Sequence, residues 1–167
     1  SSGAADIFGR TGGVIEAAVR TAYEWITGDE LESVDFKQLR GLEGSRIAEV
    51  PELQIDGSPL RIGIAHGLGS ARDLLNKVKS GEEVLHAIEI MACKGGCIGG
   101  GGQPYHHGKF NVIKKRFKGI QAIDTGKKIR KSHENPYIKE LYEKFLGEPM
   151  GEKAHELLHT KYFSRKK

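Results

Sequence analysis

Apolar residues recur with the spacing of one helix face in the first part of this chain. Between Val14 and Thr27 they return every three or four positions, and Gly28 follows as a stop. The predicted buried face consists of Val14, Ala17, Ala18, Ala22, Trp25 and Ile26. The glycine-rich residues 1–13 lead straight into this helix, and the polar residues 29–45 predict a loop with short helical turns.

The central segment changes to the shorter apolar runs of β-strands. Three such runs, the last two separated by an Asp56-Gly57 turn, lie at Ile47–Val50, Leu53–Ile55 and Leu60–Ala65. A helix is predicted from Ser70, as N-cap, to Lys79, with Gly81 just past its end as a stop, and a further strand over Val84–Ile90. Strand, helix and strand within about 30 residues predict a βαβ unit with parallel strands, and therefore an α/β fold.

The last third of the chain is basic and predicted to be helical. Tyr105–Lys118 predicts one basic helix. Two more are predicted over Asn135–Gly147, with Asn135 as N-cap, and from about Met150 to Tyr162. We therefore expect a main α/β region over residues 1–119 and a helical C-terminal extension over residues 120–167.

The composition is that of a folded protein without a membrane span. Hydrophobic residues make up 38% and charged residues 29% of the chain, and no apolar run approaches the roughly 20 residues of a transmembrane helix. The net charge of +4 comes from basic clusters near residues 109–118, 127–131 and 165–167. Few aromatic residues interleave with these clusters, so nucleic-acid binding is disfavoured.

The beginning of the chain and its cysteine content bear on its origin. The chain starts at Ser1 without an initiator methionine and shows no signal peptide, so we expect a processed chain or a piece of something longer. Two closely spaced cysteines do not form a secreted disulfide framework, which favours a reducing, cytoplasmic compartment.

Both cysteines of the chain lie in one glycine-rich loop. Cys93 and Cys97 stand at its head, and six glycines occur between Gly95 and Pro104. Such a loop buries few side chains, but its backbone N–H groups can close around a bulky anion that two thiolates hold. Because ligand sites in parallel sheets gather at the carboxyl ends of strands, the sequence predicts a functional site here.

An iron–sulfur cluster and a zinc ion are the two candidate occupants. Structural zinc uses four ligands, and the adjacent His106 and His107 point in different directions, so both rarely reach one metal. An iron–sulfur cluster also normally takes four cysteines, so the remaining ligands would come from elsewhere. A flexible loop with two incidental thiols would not explain why both cysteines lie among these glycines.

Two other segments indicate different activities. The segment HELLH, from His155 to His159, fits the pattern of zinc peptidases, but only eight residues follow it and leave no room for a third ligand downstream. The segment GLGSAR, from Gly67 to Arg72, faintly resembles a dinucleotide loop, but Arg72 replaces the third glycine. A plain strand-to-helix turn explains that segment better.

The residues from Met91 to Pro104 closely resemble the last of the three cysteine signatures of iron-only ([FeFe]) hydrogenases. The segment from Ser1 to Glu24 resembles the family's stretch between its second and third signatures. Residues 130–142 and 145–162 resemble the family's small-subunit region, which would include HELLH without a zinc role. The resemblance covers nearly the whole chain, in the family's own order.

The resemblance implies an H-cluster as cofactor. This is a [4Fe–4S] cluster joined through one cysteine sulfur to a di-iron subcluster that carries CO, cyanide and a bridging dithiolate. It implies the reversible conversion of two protons and two electrons into H2. On the matching positions, Cys93 would ligate the [4Fe–4S] cluster and Cys97 would be the thiolate shared with the di-iron unit.

Five further residues belong to the implied site. Met91 would lie beside the di-iron unit, and Phe8 and Val14 would help to wall its pocket. Gly95 and Gly96 would let backbone N–H groups approach the sulfides.

Two positions depart from the family pattern. Lys94 stands where proline is usual, and Arg10 stands where a small or apolar residue is usual. Because a cation beside the cluster favours its reduced state, we expect Lys94 to raise the cluster potential.

The resemblance also implies partners. The family's first two signatures, with the other [4Fe–4S] ligands, are not present in this sequence, so the chain is expected to be inactive alone and to need the remaining half of the catalytic region. An electron carrier such as ferredoxin, or subunits linked to NAD(P)H, would exchange electrons with it. A hydrogenase-like iron–sulfur protein for cluster assembly or H2 sensing is the alternative, but the small-subunit stretch and the intact run from Gly99 to Pro104 favour the enzyme.

Overall fold

The computed structural model describes residues 1–165 of the chain. Two compact units divide the chain, namely Ser1–Ser132 and His133–Lys167. Within the described residues, no helix is both long enough and apolar enough to cross a membrane. Of the basic cluster at 165–167, Lys166 and Lys167 lie outside the described residues.

A three-stranded sheet, in the order β1-β2-β3, forms the centre of the first unit. β1 (Ser45–Ile55) and β2 (Ser58–His66) pair in antiparallel fashion, and β3 (Ala87–Met91) is parallel to β2. The turn between β1 and β2 has positive φ at both Asp56 and Gly57, as the tight hairpin predicted there requires. The predicted parallel βαβ unit and the α/β class are confirmed.

Four α-helices accompany the sheet within residues 1–132, and they are α1 (Gly3–Asp6), α2 (Gly13–Thr27), α3 (Leu68–Ser80) and α4 (Phe110–Thr125). The predicted stops are confirmed, because α2 and α3 end at Gly28 and Gly81 in the left-handed conformation. The predicted N-cap of α3 is wrong. Gly67 occupies that position instead of Ser70, since the helix begins immediately after β2.

Other element boundaries differ from the sequence prediction. The two predicted strands at residues 47–50 and 53–55 are one strand, β1, whose pairing with β2 shifts register between Val50 and Gln54. The strand predicted from Val84 begins at Ala87. The sequence pattern also missed α1, in which the Ser2 hydroxyl accepts the Ala5 N–H at 3.3 Å.

The main core lies between the hairpin, α2 and the loop before β1. It comprises Val19, Phe36, Leu39, Ala48, Val50, Leu53, Leu60, Ile62 and Ile64. The predicted buried face of α2 is wrong at four of its six positions. Val14 and Ala18 are exposed at the open cleft described below, and Trp25 and Ile26 are 60% and 58% exposed. Charged residues, Glu16 and Arg20, occupy the buried face instead.

The second unit contains short helical segments. α5 (Pro136–Leu141) continues as one π-helical turn over Tyr142–Leu146, and α6 covers Glu152–Leu158. Asn135 caps α5 as predicted, since its side chain accepts the Tyr137 N–H at 3.1 Å. The domain boundary after residue 119 stays a prediction. It falls inside α4, and the compact units meet after Ser132.

Candidate metal centre

An open apolar cleft of 680 Å³ lies beside the cysteine loop. Six of the seven residues predicted for the site line it, and they are Phe8, Val14, Met91, Cys93, Gly96 and Cys97. The structure therefore brings together residues that are up to 89 positions apart in the sequence. Their roles toward a bound group stay predictions.

Three elements deliver these side chains. Phe8 lies in a short 3-10 turn over Ile7–Gly9, and Val14 lies in the first turn of α2. Met91 ends β3 and is in register with His66 of β2. The cysteine loop begins directly after that strand, so both thiols lie at the carboxyl end of a parallel strand, where the sequence placed the site.

Glu89 of β3 ties the strand to the start of α2. Its two carboxylate oxygens accept the Gly12 N–H at 2.6 Å and the Ile15 N–H at 3.0 Å. A carboxylate at a helix N-terminus is favourable because the helix dipole places partial positive charge there. This buried side chain, which the sequence analysis did not identify, holds two walls of the cleft together.

The two cysteines are free thiols at the surface of the cleft. The chain folds tightly around them: the Gly96 N–H donates to the Cys93 carbonyl at 3.0 Å, and the Gly100 N–H donates to the Cys97 carbonyl at 3.0 Å. Cys97 itself starts a 3-10 turn that ends at Gly99.

Four glycine amides of the loop already donate hydrogen bonds to protein groups, and the approach of loop amides to a bound anion stays a prediction. The N–H groups of Gly96, Gly99 and Gly100 donate to carbonyls within the loop, and the Gly95 N–H donates to the His66 ring at 3.1 Å. An N–H group that already donates to the protein is not free to donate to a ligand. Gly95 is also absent from the cleft lining, so its place as a cofactor-binding residue stays a prediction without support from its amide.

Close packing explains these glycines better. A Cβ on Gly96 would lie 2.7 Å from the Thr11 nitrogen and 2.9 Å from the Met91 sulfur, and φ at Gly96 is +95°. A Cβ on Gly95 would lie 2.6 Å from Cγ2 of Ile113. The loop can therefore lie directly against the α1–α2 connection and α4 only because it lacks side chains here.

His66 is the buried polar group behind the loop. Its Nε2 lies 3.2 Å from the Leu42 carbonyl oxygen, while its Nδ1 receives the Gly95 N–H. Burial lowers the pKa of His66 below its usual value, although the hydrogen bond to Leu42 opposes that shift. Because Nδ1 accepts the Gly95 N–H, it carries no hydrogen in this arrangement, and the ring is neutral.

The two departures from the family pattern have different surroundings. The Arg10 guanidinium is fully buried, forms an ion pair with Glu16 and lies 5.0 Å from the centre of the Phe117 ring. Burial lowers the pKa of Arg10, and Glu16 opposes that effect. Arg10 does not line the cleft, whereas Lys94 is exposed, and the effect of Lys94 on a cluster potential stays a prediction.

Behind α2 lies a buried ion cluster, which we define as Arg10, Glu16, Arg20, Asp35, Arg40, Asp124 and Arg130. Arg20 lies between two carboxylates, at 2.9 Å from Glu16 and 2.8 Å from Asp124. Asp124 comes from α4, so the cluster fixes α2 against α4.

The HELLH segment does not form a peptidase-type metal site. The rings of His155 and His159 lie edge to face, with centroids 4.3 Å apart. Among residues 1–165, no three or more histidine, cysteine or acidic side chains are placed to hold one metal ion. That finding also applies to the cysteine loop, which offers two sulfur ligands.

Comparison with known families matches this site to one of them. Residues 1–101 match the family described as iron only hydrogenase large subunit, C-terminal domain, and residues 110–165 match iron hydrogenase small subunit. The chain belongs to the iron-only hydrogenase family. The second match includes His155 and His159, so HELLH is part of the small-subunit region of an iron-only hydrogenase.

Individual relatives agree with this assignment. The chain is 60% identical to the NADP-reducing hydrogenase subunit HndD of Solidesulfovibrio fructosivorans over 167 residues, which are 100% of this chain and 28% of that protein. It is 41% identical to iron hydrogenase 1 of Clostridium pasteurianum over 168 residues, covering 96% of this chain and 28% of that protein. The chain thus spans less than a third of the length of these iron-only hydrogenases.

Solved structures give the same fold. A HydA structure that concerns stepwise [FeFe]-hydrogenase H-cluster assembly matches with a TM-score of 0.72 and 41% identity, over 93% of this chain and 46% of that chain. More distantly, cytosolic iron-sulfur assembly component 3 of Rattus norvegicus is 28% identical over 162 residues, which cover 95% of this chain and 32% of that protein.

Proposed function

We propose that this chain supplies part of the centre at which an iron-only hydrogenase interconverts protons, electrons and H2. The observation that carries the proposal is the placement of Cys93 and Cys97 together in one apolar cleft of a chain that belongs to this family. The cleft is concave and apolar with few polar groups, as cofactor sites usually are.

The side chains of the cleft fit an iron–sulfur cofactor. Thiolates are the ligands that iron–sulfur clusters take, and both thiols are free and exposed to the cleft. Cys93 would ligate the [4Fe–4S] cluster. The thiolate of Cys97 would be the ligand that this cluster shares with the di-iron subcluster. When bound, the H-cluster supplies the redox chemistry of the reaction.

The other residues of the cleft would exclude water and position the loop. Phe8, Val14 and Met91 present apolar surface beside the thiols, which lowers the local dielectric and limits access of water. Glu89 fixes the start of α2, and with it Val14, relative to the strand that leads to Cys93.

The proposal requires ligands from outside these residues. Two thiols leave two positions of a [4Fe–4S] cluster without a cysteine of this chain. The remaining half of the catalytic region is the partner that would provide them. Ile88 and Ile90 of β3, which are 37% and 42% exposed at the cleft, offer apolar surface for that half to cover.

Electron partners and compartment belong to the same proposal. HndD is named as a subunit of an NADP-reducing enzyme, which supports an NAD(P)H-linked subunit, and ferredoxin is the alternative electron carrier. The two free thiols suit a reducing compartment, so we place the protein in the cytoplasm.

Iron–sulfur cluster assembly is the second candidate function. It is favoured by the relative of Rattus norvegicus that is named cytosolic iron-sulfur assembly component 3, whose match covers 95% of this chain at 28% identity. The higher identity to the named hydrogenases favours catalysis.

Substitution of the thiols in the complete protein tests the proposed function. After anaerobic production with the maturation machinery, Cys93→Ala and Cys97→Ala should each lower the iron content and abolish H2 production. His155→Ala, which changes the HELLH segment, should leave both unchanged. If the wild type produces no H2 but its iron content still falls in Cys97→Ala, the assembly function would be favoured. Iron content that is indifferent to both thiols would contradict either function.

A further inference from the structure

The His66 side chain links three segments behind the cysteine loop. It ends β2 and is 4% exposed. Its ring meets the Leu42 carbonyl on one side and the Gly95 amide on the other. Gly95 lies midway between the two cysteines, so this imidazole contacts the part of the chain that determines how the two thiols are spaced.

The partners of the ring determine its tautomer. The Leu42 carbonyl can only accept a hydrogen bond, so Nε2 carries the hydrogen and donates it. The Gly95 N–H can only donate, so Nδ1 must present its lone pair. Both nitrogens of a neutral imidazole are satisfied, which is the arrangement expected of a buried histidine with a fixed orientation.

Gly95 is held from its opposite side as well. Its carbonyl accepts the Thr11 N–H at 2.9 Å, so both polar groups of this residue are bonded to neighbouring elements. Ile113 of α4 fills the space where a side chain at Gly95 would lie. The middle of the Cys93–Cys97 segment is therefore fixed by protein contacts alone.

We propose that His66 is a positioning residue for the iron group: by accepting the Gly95 N–H at Nδ1, it fixes the separation and direction of the Cys93 and Cys97 thiols. The proposal rests on the proposed function, in which these thiols bind iron. A site whose ligands are held in place before binding loses less conformational entropy when the ligand arrives. Residues that orient metal ligands typically change metal affinity by roughly 10- to 100-fold when they are substituted.

Three substitutions separate the two hydrogen bonds of the ring. His66→Asn places an oxygen near the position of Nδ1 and keeps an acceptor for Gly95. His66→Gln places an amide nitrogen near the position of Nε2 and keeps a donor for Leu42. His66→Phe keeps the volume of the ring and removes both bonds.

The chain also offers a control at an exposed histidine, His86. Nδ1 of His86 accepts the Arg61 N–H at 2.9 Å, so it makes the same kind of bond to a backbone amide. His86 precedes β3 and does not line the cleft. His86→Phe therefore tests the loss of such a bond away from the cysteines.

The experiment measures the complete protein after anaerobic loading with iron and sulfide. The first measurement is a redox titration of the electron paramagnetic resonance signal that Cys97→Ala abolishes. The second is the rate at which a chelator removes iron. We expect His66→Phe and His66→Gln to shift the g-values and the midpoint potential and to lose iron roughly 10-fold faster. We expect His66→Asn and His86→Phe to keep the wild-type spectrum and potential.

Several results would overturn the role of His66. A wild-type spectrum and wild-type iron retention in His66→Phe would do so. Wild-type spectrum and iron retention in His66→Gln, but not in His66→Asn, would also overturn it, because the effect would then belong to the hydrogen bond with Leu42. If His66→Phe does not fold, the comparison of the Asn and Gln variants decides. A wild-type protein without any signal that depends on Cys97 would instead contradict the proposed function, and the role of His66 would fall with it.

Discussion

α2 has an open apolar side and a buried side that carries charged residues beside apolar ones. One face, with Val14, Ile15 and Ala18, lines the open cleft. The other face carries Glu16 and Arg20, both 0% exposed, into the buried ion cluster. Amphipathic helices normally turn charged side chains to solvent and apolar ones to the core. α2 keeps Ala17 and Val19 in the core, but it also buries two charged side chains and leaves apolar ones at the cleft.

One side of α2 therefore holds the fold together, and the other side serves the candidate site. In the ion cluster every carboxylate pairs with more than one arginine, as Asp124 does with Arg20 and Arg130. Such bridges fix the positions of helices, because buried charges tolerate few alternative arrangements. The apolar face is left beside two thiols, where it offers surface to a bound group or to another polypeptide.

Removal of one buried carboxylate should have the largest effect on stability. Asp124→Asn leaves the Arg20 and Arg130 cations without their shared counter-charge. We expect a loss of about 3–5 kcal/mol in the free energy of unfolding, measured by urea denaturation.

The control for that prediction is an ion pair at the surface. Glu83→Gln removes one of the two carboxylate partners of Arg61, from a pair with an N–O distance of 3.0 Å. Its expected cost is at most about 1 kcal/mol, because water screens such pairs. Equal costs for the two variants would contradict the structural role of the buried ion cluster.

On the side of the cleft, a methyl group at Gly96 should be harmful. Gly96→Ala forces a residue with a side chain into φ of +95° and places its Cβ 2.7 Å from the Thr11 nitrogen. We expect a loss on the order of 2–3 kcal/mol in the free energy of unfolding. Gly101→Ala, at a position with no atom within 4 Å of the added Cβ, should change stability by less than about 0.5 kcal/mol. A similar small effect at both positions would show that the loop does not pack as described.

The smallest of these effects should come from acid. Burial alone would raise the pKa of Asp124, but hydrogen bonds from Arg20 and Arg130 outweigh it and lower the pKa to about 2, from an ordinary value of 3.8. The stabilisation is therefore complete above about pH 4 and is lost as the pH falls toward 2, by about 2 kcal/mol. Urea midpoints across this range should fall more steeply for the wild type than for Asp124→Asn. Parallel curves would contradict the assignment.

Local patterns predicted the parts of the fold that depend on neighbours in the sequence. The Asp56-Gly57 hairpin, the βαβ unit and the helix stops at Gly28 and Gly81 were all predicted, because turn residues and apolar spacing determine them. The buried ion cluster was not predicted. Arg20 meets Asp124 across 104 positions, and no local pattern indicates such a pair.

The residues of the candidate site were likewise only partly predictable from the sequence. The resemblance to hydrogenases identified the cysteine loop together with Phe8 and Val14, and the structure brings them to one cleft. His66 and Glu89 were missed, although each is a polar residue at the end of or within an apolar strand. Both side chains accept hydrogen bonds from backbone amides. Because almost every residue carries such an amide, the residue types do not indicate which one will be the partner.

Iron binding by the two thiols is tested most directly by anomalous diffraction at the iron absorption edge from crystals of the complete protein, grown without oxygen. We expect iron within bonding distance of the sulfur of Cys93 and of the sulfur of Cys97, with Met91, Phe8 and Val14 around it. Two free thiols in an iron-loaded protein, with the metal bound only by other residues, would contradict it.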